Sequence, residues 1–322
     1  MGDQLARKLK AGEAVFTAWS GIPSQYVAEA CARTDFDTVV LDEASERRLY
    51  EKMATLLDGF AVTLDAVIAD ITQRREELKF TSAALVAELL IDLAAYRLVV
   101  PVREQQQVVE ALERLRQAAR KAEQDCVDRL IEFFRFRPGD FLSETLPIEQ
   151  GSWGSDLFDP GALAEFGIAT GGAAASGALA GLAIDVVVGG MTLGAAALTG
   201  GIVGALTGAL GSRGRRWLDG LRGYSELRAS TATLELLARR QVSLVRALLR
   251  RGHASQDRIR LVEEDSKDDL SALMRELLGP LKAARRHPEW SSLDRARFDV
   301  SDEERAALKQ RLTRRLTAAL RG

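Results

Sequence analysis

Cysteine and histidine are scarce: the 322 residues include two of each. Cys31 and Cys126 are far apart, one in a strand–helix pattern and one in a helical pattern. That spacing offers no disulfide framework and fits a reducing cytoplasm. His253 and His287 are also remote from each other, and no Cys, Asp or Glu completes metal-ligand spacing with either. No glycine is followed by lysine, so the GxxxxGK[ST] phosphate loop has no counterpart. Aromatic residues make up 6% and the formal net charge is −2, which gives neither a base-stacking platform nor a charge suited to bulk nucleic-acid binding. No specific nucleic acid is expected as a partner. The opening MGDQLARKLKAGEAVF has no apolar core of signal-peptide length. No catalytic constellation is recognisable, so no catalytic, cofactor-binding or metal residue is assigned and no cofactor is expected.

What is abundant is glycine, concentrated in Gly161–Gly211. Past Glu165 this stretch has one ionisable side chain, Asp185, among Gly, Ala, Val, Leu, Ile and Thr. Glycines recur four apart at Gly177 and Gly181, Gly190 and Gly194, and Gly200, Gly204 and Gly208. On a helix such residues form one strip without side chains, where a second helix can approach closely. Gly inside a helix costs about 1 kcal/mol relative to Ala in water, so close packing must compensate. Two uncharged runs, Phe166–Ile184 and Val186–Leu210, are each about the length of a membrane span. The expectation is an apolar helical hairpin, inserted in a membrane or buried in protein, with Asp185 near its tip as a cap or a solvated residue. The same strip could pair copies of the chain as a homo-oligomer. Arg213, Arg215 and Arg216 follow the second run and suit contact with anionic lipid on a cytoplasmic flank.

Around this segment the pattern is mainly α. Residues 1–42 read as strand, helix and strand, a short βαβ remnant (AVFTAWS, SQYVAEACAR, FDTVVL). Residues 43–140 read as a three-helix bundle. The first stripe runs through Leu49, Met53, Leu56, Phe60, Leu64, Val67 and Ile71. A second helix, capped by Thr81 or Ser82, is expected to stop before Pro101, and a third spans about Glu104–Phe136. Residues 141–222 hold a loop and the glycine-zipper hairpin, with Asp159 as N-cap before Pro160. Residues 223–322 read as C-terminal helices: Glu226–Arg251, Asp257–Ala284 interrupted at Gly279-Pro280, and a last one opened by a Ser301/Glu304 capping box. The arginines of the first of these, Arg239 to Arg251, read as the solvated side of an amphipathic helix.

Two resemblances carry more specific expectations. LKAGEAVFTAWSGIPSQYVAEACARTDFDTVVLD resembles the first βαβ unit of the HpcH/HpaI class II aldolases, metal-dependent TIM barrels. In that family an Asp ends the second strand and a catalytic His follows three residues later. Asp42 falls on the Asp position and Ser45 on the His position, and no later segment resembles the strands that carry the metal ligands. RRLYEKMATLLDG, GSWGSDLFDPGALAEFG, AIDVVVGGMTLGAAA and LRGYSELRASTATLELLARRQVSLVRALLRRGHASQ resemble a bacterial domain of unknown function, from about Phe36 to the C-terminus. That domain follows an Era-like GTPase in the same polypeptide. The resemblance implies a non-enzymatic, GTPase-associated helical domain that couples a GTPase to a membrane or partner. It would be cytoplasmic and associated with the inner membrane. The rival expectation is a gene fusion whose start is the remnant of a lyase.

The strip makes a mutational prediction. Gly204→Leu puts an isobutyl group where backbones should nearly touch, and overpacking costs about 1–3 kcal/mol. Gly204→Ala should melt close to wild type in detergent or liposomes, Gly204→Leu clearly lower, and Gly201→Leu, off the strip, in between. Wild-type melting of Gly204→Leu would show the strip misplaced.

Overall fold

The computed structural model describes residues 50–51, 61–101, 105–135, 148–149, 152–168, 184–188, 191–194, 224–250, 267–296, 298–299 and 301–321. The strand–helix–strand expected in residues 1–42 lies outside them. In chain order the elements are α1 (Ala61–Ala95), β1 (Arg97–Pro101), α2 (Gln105–Phe133), β2 (Ile148–Glu149), β3 (Ser152–Trp153), α3 (Pro160–Glu165), β4 (Ile184–Val188) and β5 (Met191–Gly194). Then come β6 (Tyr224–Ala229), α4 (Thr231–Arg250), α5 (Lys267–Ala284), a 3-10 turn (Pro288–Trp290) and α6 (Glu303–Ala319). The described chain is mainly helical, as its periodicity implies. Two compact units divide it: Met1–Leu78 with Arg246–Ile259, and Lys79–Val245 with Arg260–Gly322. In the first, Tyr50 and Leu64 are buried.

Helix α1 is one element where the sequence suggests a break: Thr81 and Ser82 lie inside it and cap nothing. It ends earlier than expected, because Leu98, Val99 and Val100 form β1. β-branched residues favour the extended backbone, and the residue before a proline is pushed out of the helical region. α2 covers Gln105–Phe133, close to the expected span, and buries Ala111, Leu115, Ala119 and Leu130.

β1 belongs to a four-stranded antiparallel sheet in the order β1-β6-β4-β5. This is the main departure from the sequence reading. Past Glu165 the described parts of the glycine-rich segment are not helical: Ile184–Val188 and Met191–Gly194 are paired strands. Three consecutive valines prefer extended backbone, and the sequence Gly-Gly between the paired Val188 and Met191 is a hairpin signal. Tyr224–Ala229, expected as the start of a helix, is the strand between β1 and β4. Its burial alternates: Ser225, Leu227 and Ala229 are buried, and Glu226 and Arg228 lie on the opposite face, half-exposed. α2 packs against β1 and β6.

Helix ends follow local chemistry. α4 opens only after β6, at Ser230, whose Oγ accepts from the Thr233 N–H at 3.1 Å. Asp159 caps α3 as the sequence implies, accepting from the Gly161 N–H at 3.0 Å with Pro160 first in the helix. α3 then stops after one and a half turns, because Gly167 takes a left-handed φ of 65° and Ile168 N–H returns to the Leu163 carbonyl at 2.9 Å. α6 is capped by Asp302 instead of Ser301: its Oδ1 accepts from Arg305 N–H at 2.8 Å. Ser301 is occupied in donating to Asp299. α5 runs through Gly279-Pro280 without interruption. Proline leaves the Glu276 carbonyl without its donor, but Leu277, Leu281 and Ala284 are buried on both sides and hold the helix together.

The core of the second unit is leucine-rich, with Leu90, Ile91, Leu115, Leu130, Leu236, Leu237, Leu277 and Leu312 almost wholly buried. One member breaks the pattern. Gln241 on α4 is fully buried, and neither its Nε2 nor its Oε1 has a hydrogen-bond partner. An unsatisfied buried amide costs about 1–3 kcal/mol. Gln241→Leu, similar in volume, should therefore raise the melting temperature. A lowered melting temperature in this variant would contradict the assignment.

Candidate functional site

Charged residues inside the second unit gather at three places. The most buried is Arg240, which has no exposed surface although it sits in an arginine-rich run. In sequence it falls four residues after Leu236 and four before Leu244, both buried, so the helix period places it on the apolar face. Arg239 is buried as well. The expectation of a solvated arginine face is therefore wrong at these two positions, and for Arg240 the i±4 leucines were the signal that could have shown it.

The Arg240 guanidinium joins three elements. Nη1 reaches both carboxylate oxygens of Glu123 on α2, at 3.4 and 3.5 Å. Nη2 donates to Ser155 O at 2.9 Å, Ser155 Oγ at 2.8 Å and Asp156 O at 3.5 Å. The flat cation also lies over the Trp153 ring at 5.1 Å and the Phe166 ring at 5.9 Å, and these rings meet edge to face. Asp156 is tied separately to α2 by a two-pronged bond from Arg120, at 2.6 and 3.0 Å. Partial burial opposes ionisation of Asp156, but the Arg120 bond prevails and holds its carboxyl below the usual range. Arg239 adds a bond to the Phe166 carbonyl at 3.4 Å. Residues 153–166 are thus clamped from α2 and α4 by three arginines.

The second cluster closes the chain's C-terminal helix onto α1. Arg305 Nη2 reaches Asp92 Oδ1 at 3.0 Å, its Nε donates to Trp290 O at 2.8 Å, and its plane lies over Phe298 at 5.0 Å. Asp92 also accepts from Ser292 N at 3.0 Å and Ser292 Oγ at 2.5 Å. Beside it Lys309 pairs with Glu88 at 2.9 Å. Partial burial works against ionised Glu88, yet Lys309 and Arg305 together hold its carboxyl down.

The third lies on the half-exposed face of the sheet. Asp185 is neither at a helix end nor at a hairpin tip. It stands on β4 opposite Arg228, 3.8 Å from that guanidinium and 3.3 Å from Arg285. Burial raises its carboxyl pKa despite both arginines, and burial likewise lowers that of Arg285. Arg97 is opposite Arg228 in the register and pairs diagonally with Glu226 at 3.0 Å, which relieves the facing like charges.

Other reactive groups are placed without a chemical partner arrangement. Burial pushes the Cys126 thiol up to about 12, far from the thiolate that reacts. His287 stacks on Trp290 at 4.2 Å and its Nδ1 meets Glu289 at 2.8 Å. Among the described residues no group of three His, Cys, Asp or Glu could hold a metal ion. No helix among them is long and apolar enough to cross a membrane. Of the expected helix-packing strip, Gly194 ends strand β5, paired with Asp185, so it is not on a helix. Gly177, Gly181, Gly190, Gly200, Gly204 and Gly208 lie outside the described residues, as do Arg213, Arg215 and Arg216.

The first cluster has a pH signature. Burial pushes the Glu123 carboxyl from 4.5 up to about 7, the attraction of Arg240 offsetting only part of it and Asp156 adding repulsion. A raised carboxyl means the folded state holds a proton that the unfolded chain has lost. Stability from this group is greatest below about 4.5, falls as pH rises towards 7, and is level above. Glu123→Gln lacks the titration. The stability of this variant relative to wild type should grow between pH 5 and pH 8 by on the order of 2–3 kcal/mol, read from urea midpoints. A difference that stays constant over this range is the adverse result.

The comparisons with known proteins bear on the whole arrangement. No curated protein and no solved structure matches the chain. One family model does, over residues 29–314, taking in all three clusters and starting inside the segment that resembles the aldolase unit. The chain belongs to the family described as Domain of unknown function (DUF3482).

Proposed function

We propose that this chain is a non-enzymatic helical domain that couples an Era-like GTPase to a membrane or a protein partner. The observation that carries this reading is the use made of its buried charges. Arg240, Glu123, Arg305, Asp92, Arg285 and Asp185 all bind one segment of the chain to another. Catalytic sites instead aim such groups at a cavity where a substrate can sit. The resemblance of GSWGSDLFDPGALAEFG and the LRGYSELRAS block to a domain found behind a GTPase supplies the partner. The first of these blocks contains Trp153, Ser155, Asp156 and Phe166, the residues gripped by Arg240 and Arg120. A rigid helical body with a clamped segment suits a coupling module. The glycine-rich segment beyond the two strands β4 and β5, with Arg213, Arg215 and Arg216, is the proposed membrane-facing element. Residues 29–42 of the aldolase-like start fall within the match to the family of unknown function, which favours this reading over a lyase remnant.

Hydrolysis of GTP needs backbone N–H groups and a lysine around the phosphates, and the Gly-Lys pair is missing. The purified chain should release no phosphate from GTP above a blank, with or without Mg²⁺. Turnover that persists through a second purification step would sink the non-enzymatic reading. Flotation with neutral phosphatidylcholine vesicles tests the glycine-rich segment: a chain that stays entirely at the bottom shows that this segment does not enter a bilayer.

A further inference from the structure

The exposed charge on α5 and α6 is predominantly basic. Arg275, Lys282 and Arg286 are exposed on and just beyond α5, and Arg311 and Arg314 on α6. Among the described residues none of these five is held in an ion pair. The two helices are in contact, and Arg315 of α6 pairs with Glu276 of α5, so the two faces adjoin. The acids of α6 stand in its first turn, at Glu303 and Glu304, where they complement the helix dipole. α2 is the contrast within the same molecule: its exposed surface mixes Glu110, Arg114, Lys121, Asp125 and Asp128. A local excess of cations on a chain of net charge −2 is a directed feature of the surface.

We propose that this two-helix face docks on anionic phospholipid headgroups. The inference deepens the membrane half of the function proposed above and rests on it. The residues between the cations decide the kind of partner. They are Ala272, Gly279, Ala283, Ala306, Ala307 and Ala318, all small and exposed. A protein interface needs large anchors such as Trp, Tyr or a seated Arg in a pocket; among the described residues this face presents no aromatic side chain, and its Leu278 is half-buried. Single-stranded nucleic acid needs stacking platforms, which are equally missing here. A flat face of small residues beneath long, flexible cations fits a diffuse plane of negative charge. Each basic side chain near such a plane adds to binding, and the attraction fades within a Debye length.

The test uses the full chain and vesicles of phosphatidylcholine alone or with about 30% phosphatidylserine. Three proteins are compared: wild type, Arg275→Gln/Arg311→Gln/Arg314→Gln, and a control losing equal charge from α2 and the turn after it, Arg114→Gln/Lys121→Gln/Arg135→Gln. Thermal melts confirm that all are folded. The expected result is that phosphatidylserine adds binding to whatever the neutral vesicles show. That increment should fall about tenfold or more in the α5–α6 variant and in about 0.5 M NaCl, while the control keeps it. Equal loss in both variants, or no loss in either, overturns the assignment of this face. So does a duplex DNA oligonucleotide that competes the vesicles off, since the face would then serve nucleic acid. Failure of the glycine-rich segment is read separately, from the neutral vesicles alone.

Discussion

A guanidinium with no exposed surface is the constraint on which the helical unit depends. Arg240 cannot lose its charge, and an unpaired charge in an apolar interior is too costly to persist. It must therefore find a carboxylate, carbonyl oxygens and aromatic faces at once, and it takes them from α2 and from residues 153–166. Breaking a buried pair by removing one partner costs roughly 3–5 kcal/mol, whereas an apolar pair of the same volume is often no worse. The ionic form therefore gives little stability over an apolar core. What it does give is a fixed position for segment 153–166, because the donors of one planar fork accept only one arrangement of neighbours.

The same device appears again with Arg305, which joins α6 to α1 through Asp92 and to the 3-10 turn through the Trp290 carbonyl. Arg285 joins the end of α5 to the sheet through Asp185 and the Ala229 carbonyl. Each arginine bonds side chains and backbone carbonyls, so the polar groups of irregular connections are satisfied where they are buried. A unit held in this way keeps its outer surfaces free for contact. On α5 and α6 that surface is mainly basic; on α2 it is mixed in sign.

Several features were readable from the chain. The helix α2, the Asp159-Pro160 start of α3 and the α-rich class follow from apolar spacing and capping chemistry, which are local. The sheet was not readable in the same way. Arg97–Pro101 looks like the tail of a helix, Ile184–Val188 like part of an apolar helical run, and Tyr224–Ala229 like the head of another helix. They are strands because they pair with one another at long range, β1 with β6 across more than a hundred residues and β4 with β6 across some forty, and no local window contains that pairing. The valines of β4 and the Gly-Gly after it were the local hint, outweighed by the four-residue recurrence of glycine.

The sequence by itself determined the helix-rich class, the family and the Asp159 cap, since each depends on residue identity at short spacing. Only the tertiary structure decided which of the many arginines are interior. Arg239 and Arg240 sit beside Arg246 in one run, and composition treats them alike. Burial separates them, because a helix enclosed on most of its circumference turns some of its polar positions inward. There a charge survives only where other segments bring a carboxylate and carbonyls to meet it.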